Sequence, residues 1–347
     1  MEPVNKAVTS ASGKRRLQHG ILVMSILCLL IVCAFIVSMN TGYIRLSPLD
    51  VARTLFGMGT EKQSLILFEF RLPRIVISVL IGAGLAVSGC ILQGLSRNAL
   101  ADPGILGINA GAGLMVMLYI SFYPTTSFRS IFLLPVLALI GSGLTAALIY
   151  ALSYKRNEGI SPTRLILTGI GVAAGISSAM IVLTLKLDPQ KYQFMATWLA
   201  GSIWGSNWKF VLALLPWIIV LLPLVFSKAR VMNVLNLGEN SATGLGASVE
   251  RERLLLLAAA VGLAGSSVAV SGGIGFVGLI APHLARRLVG PKHELLLPAS
   301  ALTGALLVIV ADTIGRLILQ PSEIPTGIVV AVIGAPYFLY LLTKVKG

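Results

Sequence analysis

Two arginines, Arg71 and Arg74, lie three residues apart beside an apolar segment that is long enough to enter a membrane. This spacing places both side chains on one helical turn, and a planar guanidinium group can bind a carboxylate through two parallel hydrogen bonds. One interpretation is therefore a rigid receptor for carboxylates. The other is an anchor, in which both side chains extend to lipid headgroups. Pro73, between them, fits the first turn of a helix, where its missing N–H has no cost.

A second charged pair, Asp312 and Arg316, lies in another apolar segment at a spacing of four residues. In a helix this spacing puts both side chains on one face, and charges inside a membrane are costly unless they are paired. The sequence therefore predicts an ion pair within the helix. Arg316 either serves this pair alone or also faces a partner molecule.

Motifs for nucleotide binding are weak or absent. Gly273 to Gly278 satisfy G-x-G-x-x-G, but they lie between two apolar segments, and no acidic residue follows before Glu294. A dinucleotide site requires this motif between a strand and a helix, with an acidic residue about 20 positions further on. The phosphate-binding loop G-x-x-x-x-G-K-[ST] does not occur. If the chain works with ATP, another subunit must hydrolyse it.

Metal and catalytic constellations are not evident either. His283 has no companion at ligand spacing, which favours a histidine hydrogen-bonded near a helix end over a metal ligand. Cys28, Cys33 and Cys90 lie inside apolar segments and form no C-x-x-C motif, so we interpret them as small buried apolar residues. We predict that the chain is not an enzyme and binds no metal or cofactor itself.

The composition predicts that most of the surface faces lipid. Hydrophobic residues make up 56% of the 347 residues and charged residues only 12%, and the mean hydropathy is +0.90. A soluble domain carries about 25% charged residues. The net charge of +14 comes from residues in the gaps between apolar segments, which argues against a nucleic-acid-binding surface. We therefore predict one membrane domain spanning residues 1–347.

Ten apolar segments are candidate membrane spans. The first matches the length of about 20 residues that a helix needs to cross hydrocarbon. It lacks a small-residue cleavage site after it, so we interpret it as a retained span rather than a signal peptide. The segments are 21–39, 75–92, 105–122, 131–152, 165–185, 210–226, 254–270, 275–289, 295–319 and 324–342.

The distribution of lysine and arginine predicts the orientation. With the N-terminus inside and ten alternating spans, seventeen of the 27 basic residues lie on the inner side, as expected when cytoplasmic loops carry the excess. Residues 1–20 and both termini are then cytoplasmic. The polar segment 227–253 also lies inside, and its length, apolar residues and glycines suggest two short helices with a glycine turn. It is a docking element or an ordinary loop.

Glycines are frequent within the apolar segments, in three sets. Between helices in lipid there is little hydrophobic drive to associate, and small residues let the backbones approach closely. We therefore expect a tightly packed helical body. The sets are Gly82, Gly84 and Gly89, then Gly107, Gly111 and Gly113, then Gly169, Gly171 and Gly175.

Seven blocks of sequence resemble the FecCD-type permease family, the cobalamin-importer branch of ABC transporters, in the order found there. The match covers nearly the whole chain. Ala99 stands where relatives often carry proline, which puts the local loop geometry in doubt. The blocks are R-L-P-R with G-A-G-L-A-V-S-G-C-I-L-Q-G, R-N-A-L-A-D-P-G-I-L-G, W-L-A-G-S, L-G-E-N-S-A-T-G-L-G, G-F-V-G-L-I-A-P-H, A-D-T-I-G-R and E-I-P-T-G.

The resemblance implies an all-α membrane protein with about ten transmembrane helices and the type II ABC importer permease fold. It implies a multi-pass location in the bacterial cytoplasmic membrane and a dimer with a second, identical or homologous permease. Two ATPase subunits would bind at the inner side and use the ATP. A substrate-binding protein would dock at the outer side. The expected cargo is a ferric siderophore, with haem or cobalamin as alternatives.

The resemblance also implies residue roles. Arg71, Arg74 and Arg316 would receive carboxylates of the binding protein. Asn98 and Leu100 would lie at a cytoplasmic gate, with Ser161 and Thr163 near a second gate element. Coupling to the ATPase would involve Leu237, Gly238, Glu239, Asn240, Gly244, Leu245 and Gly246.

An ion-coupled secondary transporter is an alternative of a different class. Such transporters use broken helices that point at an ion site near the midplane. The middle thirds of the ten segments carry no carboxylate, which argues against proton or sodium coupling. An intramembrane enzyme would need a nucleophile with a base, or a metal.

Overall fold

The computed structural model describes residues 2–42, 46–104, 107–123, 128–155, 159–160, 162–203 and 205–344. Ser161 of the predicted gate lies outside the described residues. Arg45, Arg156 and Lys346, which contributed to the predicted orientation, do so as well. Nearly all described residues are helical, and a short antiparallel hairpin of β1 (Tyr154–Lys155) and β2 (Gly159–Ile160) connects two helices.

The first half of the chain contains long helices joined by short ones. The helices are α1 (Glu2–Asn40), α2 (Pro48–Leu55), α3 (Glu61–Ser64), α4 (Leu72–Ser96), α5 (Ile108–Phe122), α6 (Phe128–Ser153) and α7 (Pro162–Thr184).

The second half continues the same pattern. Its helices are α8 (Pro189–Leu199), α9 (Trp208–Ser227), α10 (Ala229–Leu235), α11 (Glu239–Gly244), α12 (Val249–Ser271), α13 (Val277–Val289), α14 (His293–Ile318) and α15 (Thr326–Lys344).

Each of the ten predicted segments coincides with one helix, namely α1, α4, α5, α6, α7, α9, α12, α13, α14 and α15. Among the described residues, seven helical stretches are long and apolar enough to cross a membrane, while α5 and α15 are shorter apolar helices. The seven are Arg15–Asn40, Glu61–Ser96, Leu133–Ser153, Thr163–Thr184, Trp208–Ser227, Val249–Ser271 and His293–Ile318.

The α4 helix lies at the centre of the bundle, packed against α12, α13 and α14. In its most apolar stretch 78% of the residues are buried, compared with 11% in α7. A Cβ atom at Gly82 would lie 2.3 Å from the carbonyl oxygen of Gly304, and one at Gly89 would lie 1.9 Å from that of Gly278. The predicted close approach of glycine-containing helices is therefore confirmed for α4.

The third set of glycines differs from that expectation. Gly171 and Gly175 lie on an exposed face of α7, and a Cβ at either position would meet no atom of the described residues within 4 Å. A regular spacing of small residues indicates that a face permits close approach. It does not indicate whether the neighbour belongs to the same chain.

Pro73 lies in the first turn of α4, as the sequence predicted. A π-helical segment, Leu65–Arg71, joins α3 to α4, so that helical backbone runs without a break from Glu61 to Ser96. The N–H of Leu72 bonds to the carbonyl of Leu67, five residues earlier. This wider turn accommodates the proline ring, which would otherwise collide with the carbonyl four residues before it.

Candidate functional site

Three arginines and two carboxylates meet where α1, α4, α14 and the start of α15 come together. We call this group, Arg71, Arg74, Asp312, Arg316 and Glu323, the outer arginine cluster. Asp312 and Arg316 form the predicted ion pair, with Nε 3.2 Å from Oδ2. The i, i+4 spacing alone accounts for this contact.

Arg74 forms the most extensive contacts of the cluster. Its Nε lies 3.0 and 3.1 Å from the two oxygens of Asp312, and its Nη2 lies 2.8 Å from Oδ1. The third nitrogen, Nη1, lies 2.8 Å from Oε2 of Glu323. The fork geometry expected for a carboxylate receptor is thus present, and the carboxylates come from the same chain.

Arg71 and Arg316 bind the end of α1. Nη1 of Arg71 donates to the carbonyl of Met39, and Arg316 donates to the hydroxyl of Ser38 and, at 3.3 Å, to the carbonyl of Thr41. Both side chains are buried, each 6% exposed. The orientation toward lipid headgroups is therefore not adopted by Arg71, Arg74 or Arg316. These contacts neutralise part of the charge and satisfy carbonyls that no longer have helical partners.

No pattern in the sequence predicts that Arg74 contacts Asp312 and Glu323, which lie 238 and 249 residues away. Thr326, whose hydroxyl donates to Asp312 at 3.1 Å, was also missed. In retrospect one signal was present, because these residues all lie in three of the blocks that resemble the FecCD-type family. That they meet at one end of the bundle follows only from the packing of α4 against α14.

The opposite end of the bundle, which the sequence predicts to be the inner one, carries the segment predicted to contain two short helices. That prediction is confirmed by α10 and α11, which are separated by Gly238 with φ of +113°. Leu237 and Leu245 flank α11 and are 64% and 66% exposed. A cavity of about 450 Å³ lies beside this element and includes Arg97, Glu239 and Arg253 in its lining.

Polar contacts hold these two helices to the body. Glu239 forms an ion pair with Arg253 of α12, and Lys228 forms one with Glu252 at 2.7 Å. Asn233 donates to Glu294 at 2.7 Å. We call 228–246 the inner docking element.

The fully buried His293 adds a contact between α14 and the inner docking element. Its backbone N–H and its Nδ1 both contact Oδ1 of Asn233, at 3.0 and 2.9 Å. Because the amide oxygen can only accept, Nδ1 carries a proton and donates to it. The position of α10 is thereby fixed at its centre.

The predicted gate residues lie in the loop between α4 and α5. Oδ1 of Asn98 accepts from the backbone N–H of Leu100 at 2.9 Å, which closes a local turn around Ala99. The turn forms without the proline that relatives often carry there. Thr163 lies exposed at the start of α7.

Asp102 holds the second half of this loop. Its Oδ1 accepts from the N–H of Gly104 at 2.7 Å. Burial raises the pKa of the Asp102 carboxyl from 3.8 to about 6, and this hydrogen bond opposes the rise. Arg97 connects the loop to the inner docking element, since its Nη2 donates to the carbonyl of Leu235 at 3.0 Å. The sequence did not single out Arg97 for this contact.

Taken together, a multi-pass helical bundle with a charged cluster at one end and paired short helices at the other defines a membrane permease. Residues 29–344 match the FecCD transport family, and the chain belongs to this family. The fold is that of an ABC importer permease.

Curated relatives and solved structures support this assignment. The chain is 52% identical to the iron(3+)-hydroxamate import system permease protein FhuG of Bacillus subtilis over 95% of its length and 99% of that protein. It is 38% identical to the hemin transport system permease protein HmuU of Yersinia pestis, over 93% and 96%. A solved inward-facing metal-chelate type ABC transporter superposes with a TM-score of 0.81 at 33% identity, covering 93% of this chain and 99% of that one.

Proposed function

We propose that this chain is the membrane-spanning subunit of a bacterial ABC importer that takes up ferric hydroxamate siderophores. The observation that carries the proposal is the 52% identity to FhuG across 95% of the chain. Hemin is an alternative cargo, because HmuU is a relative at 38% identity. The lower identity makes hemin a weaker candidate than a ferric hydroxamate.

Uptake of radiolabelled iron tests the cargo. Deleting the gene from its host is expected to abolish uptake of iron presented as a trihydroxamate complex, and to leave uptake of hemin and of ferric citrate near the parental level. A plasmid-borne copy should restore the loss. Unchanged trihydroxamate uptake, or a selective loss of hemin uptake, would contradict the proposed cargo.

The ATPase partner is proposed to bind at the inner docking element. Support comes from its two exposed leucines, Leu237 and Leu245, which flank α11 in an element held to the body by contacts of Glu239, Asn233 and Lys228. Exposed apolar side chains within a polar rim are typical of a protein interface. Within it, we assign contact with the ATPase to Leu237, Gly238, Glu239, Asn240, Gly244, Leu245 and Gly246.

A second permease subunit is proposed to pack on α7. Gly171 and Gly175 face open space there, together with Ala174 and Ser178 one turn apart. Small residues at this spacing allow another helix to approach closely within lipid. Whether that subunit is identical or homologous follows from the genes expressed with this one.

The orientation proposed for the complex places both termini and the inner docking element in the cytoplasm. The excess of basic residues on that side supports it. The outer arginine cluster then faces the extracytoplasmic space, where the substrate-binding protein docks. Asn98 and Leu100 lie at the cytoplasmic gate, to which Arg97 connects the inner docking element.

Cysteine labelling tests the gate and the orientation together. In a variant in which Cys28, Cys33 and Cys90 are replaced by serine, a cysteine at Asn98 or Leu100 is expected to react with an impermeant maleimide added from the inner side. Its labelling rate should change when ATP binds to the assembled complex.

The matched control for this labelling is a cysteine at Phe56, which is 79% exposed at the opposite end of the bundle. It should react only from the outer side and should not respond to ATP. Labelling of the Asn98 and Leu100 positions only from outside would contradict both the gate and the orientation.

A further inference from the structure

The two carboxylates that hold Arg74 differ sharply in how they are fixed. Asp312 is 1% exposed, pairs with Arg316 as well as Arg74, and accepts from the hydroxyl of Thr326. Removing it would leave buried guanidinium groups without their counter-charge, which is strongly destabilising. Asp312 is therefore a permanent part of the cluster.

Glu323 is in a different situation. Its side chain is 30% exposed and lies in the loop between α14 and α15, where it is held by the 2.8 Å ion pair with Nη1 of Arg74. Ion pairs that remain in contact with water contribute about 1 kcal/mol or less. A competing carboxylate could therefore replace Glu323 without disturbing the rest of the cluster.

The charge of the cluster favours such a competitor. Arg71, Arg74 and Arg316 carry three positive charges and Asp312 and Glu323 two negative ones, so the cluster has a formal net charge of +1. The Nη1 position is the one donor of Arg74 whose partner is itself open to solvent.

We propose that Glu323 is an exchangeable ligand of Arg74, which an acidic side chain of the docking binding protein displaces. This inference rests on the proposed function, because it takes the binding protein as the partner at this face. The incoming carboxylate takes the Nη1 position, Glu323 moves into solvent, and Asp312 stays on Nε and Nη2. The internal pair thus keeps the site ordered while it is empty.

The exchange also has a structural consequence. The N–H of Ile324, next to Glu323, donates to the carbonyl of Gly315 at 3.1 Å, and Thr326 at the start of α15 donates to Asp312. Release of Glu323 therefore removes one of the attachments of the α14–α15 loop and leaves the others intact. Docking at the outer face would in this way reach the first turn of α15.

The exchange is tested by measuring the affinity of the substrate-binding protein for the complete importer, which is assembled in nanodiscs with its ATPase. The binding protein used is the one encoded beside this permease. Glu323→Gln and Glu323→Ala are expected to tighten binding by up to about fivefold, because docking no longer has to break the internal pair. The matched control is Glu61→Gln, which removes one negative charge at the same end of the bundle from exposed helix α3. This control accounts for the change in long-range attraction between the importer and the binding protein. It should change the affinity less than the two Glu323 variants do.

The possible outcomes separate the two hypotheses. Tighter binding by both Glu323 variants than by Glu61→Gln supports the exchange. Affinities equal to or weaker than that control overturn the exchange alone, provided that the wild-type importer binds the protein. Absence of any binding to the folded wild-type importer would contradict the proposed function and the exchange together.

Discussion

The substitution Gly89→Val is expected to prevent the helical bundle from assembling. A Cβ atom at Gly89 would lie 1.9 Å from the carbonyl oxygen and 2.5 Å from the Cα of Gly278. Both atoms belong to the backbone of α13, so no side-chain rotation relieves the collision, and α4 and α13 must separate. The separation would also break the contacts of the Gln93 amide with the carbonyls of Gly278 and Leu279.

The expected loss of stability is at least about 3 kcal/mol, at the upper end of the range for overpacked interiors. Fluorescence-detected size-exclusion chromatography in detergent should show loss of the monodisperse peak. The matched control is Gly143→Val in α6, because a Cβ at Gly143 would meet no atom within 4 Å. The interpretation fails if Gly89→Val gives the same peak and melting temperature as Gly143→Val.

The double substitution Leu237→Asp and Leu245→Asp is expected to abolish association with the ATPase. These leucines are 64% and 66% exposed in the chain, and burying a leucine side chain contributes about 1.5–3 kcal/mol. Together the two changes should weaken the dissociation constant at least a hundredfold, and two desolvated carboxylates would add to the loss. The fold should persist, since neither side chain contributes to the core.

Co-purification of the tagged permease with its ATPase measures this effect, with the melting temperature of the permease as the check on folding. Leu49→Asp is the control, because Leu49 is 59% exposed at the other end of the bundle. It should retain the ATPase. Retention of the ATPase by the double variant, or an equal loss with Leu49→Asp, would contradict docking at this element.

Whatever depends on neighbours along the chain was predictable from the sequence. The ten apolar segments each form a helix because hydrocarbon-length runs of apolar residues satisfy their backbone groups internally. The Asp312–Arg316 pair follows from the helical repeat, and Gly238 precedes α11 and separates it from α10 because glycine adopts positive φ at little cost. Pro73 lies in the first turn of α4 as predicted, but the sequence did not predict the π-helical segment that precedes it.

The partners of these residues across the bundle were decided by the tertiary structure alone. Arg74 contacts Asp312 and Glu323, and Gly89 meets Gly278, because α4 packs between α13 and α14. In lipid, helices select their neighbours by shape and by a few polar contacts rather than by burying an apolar stripe, so the choice leaves no periodic signal in the sequence. The sequence therefore determined the class of protein and its helices. Packing decided that Arg74 and Arg316, which were expected to face a partner, are held by carboxylates of their own chain.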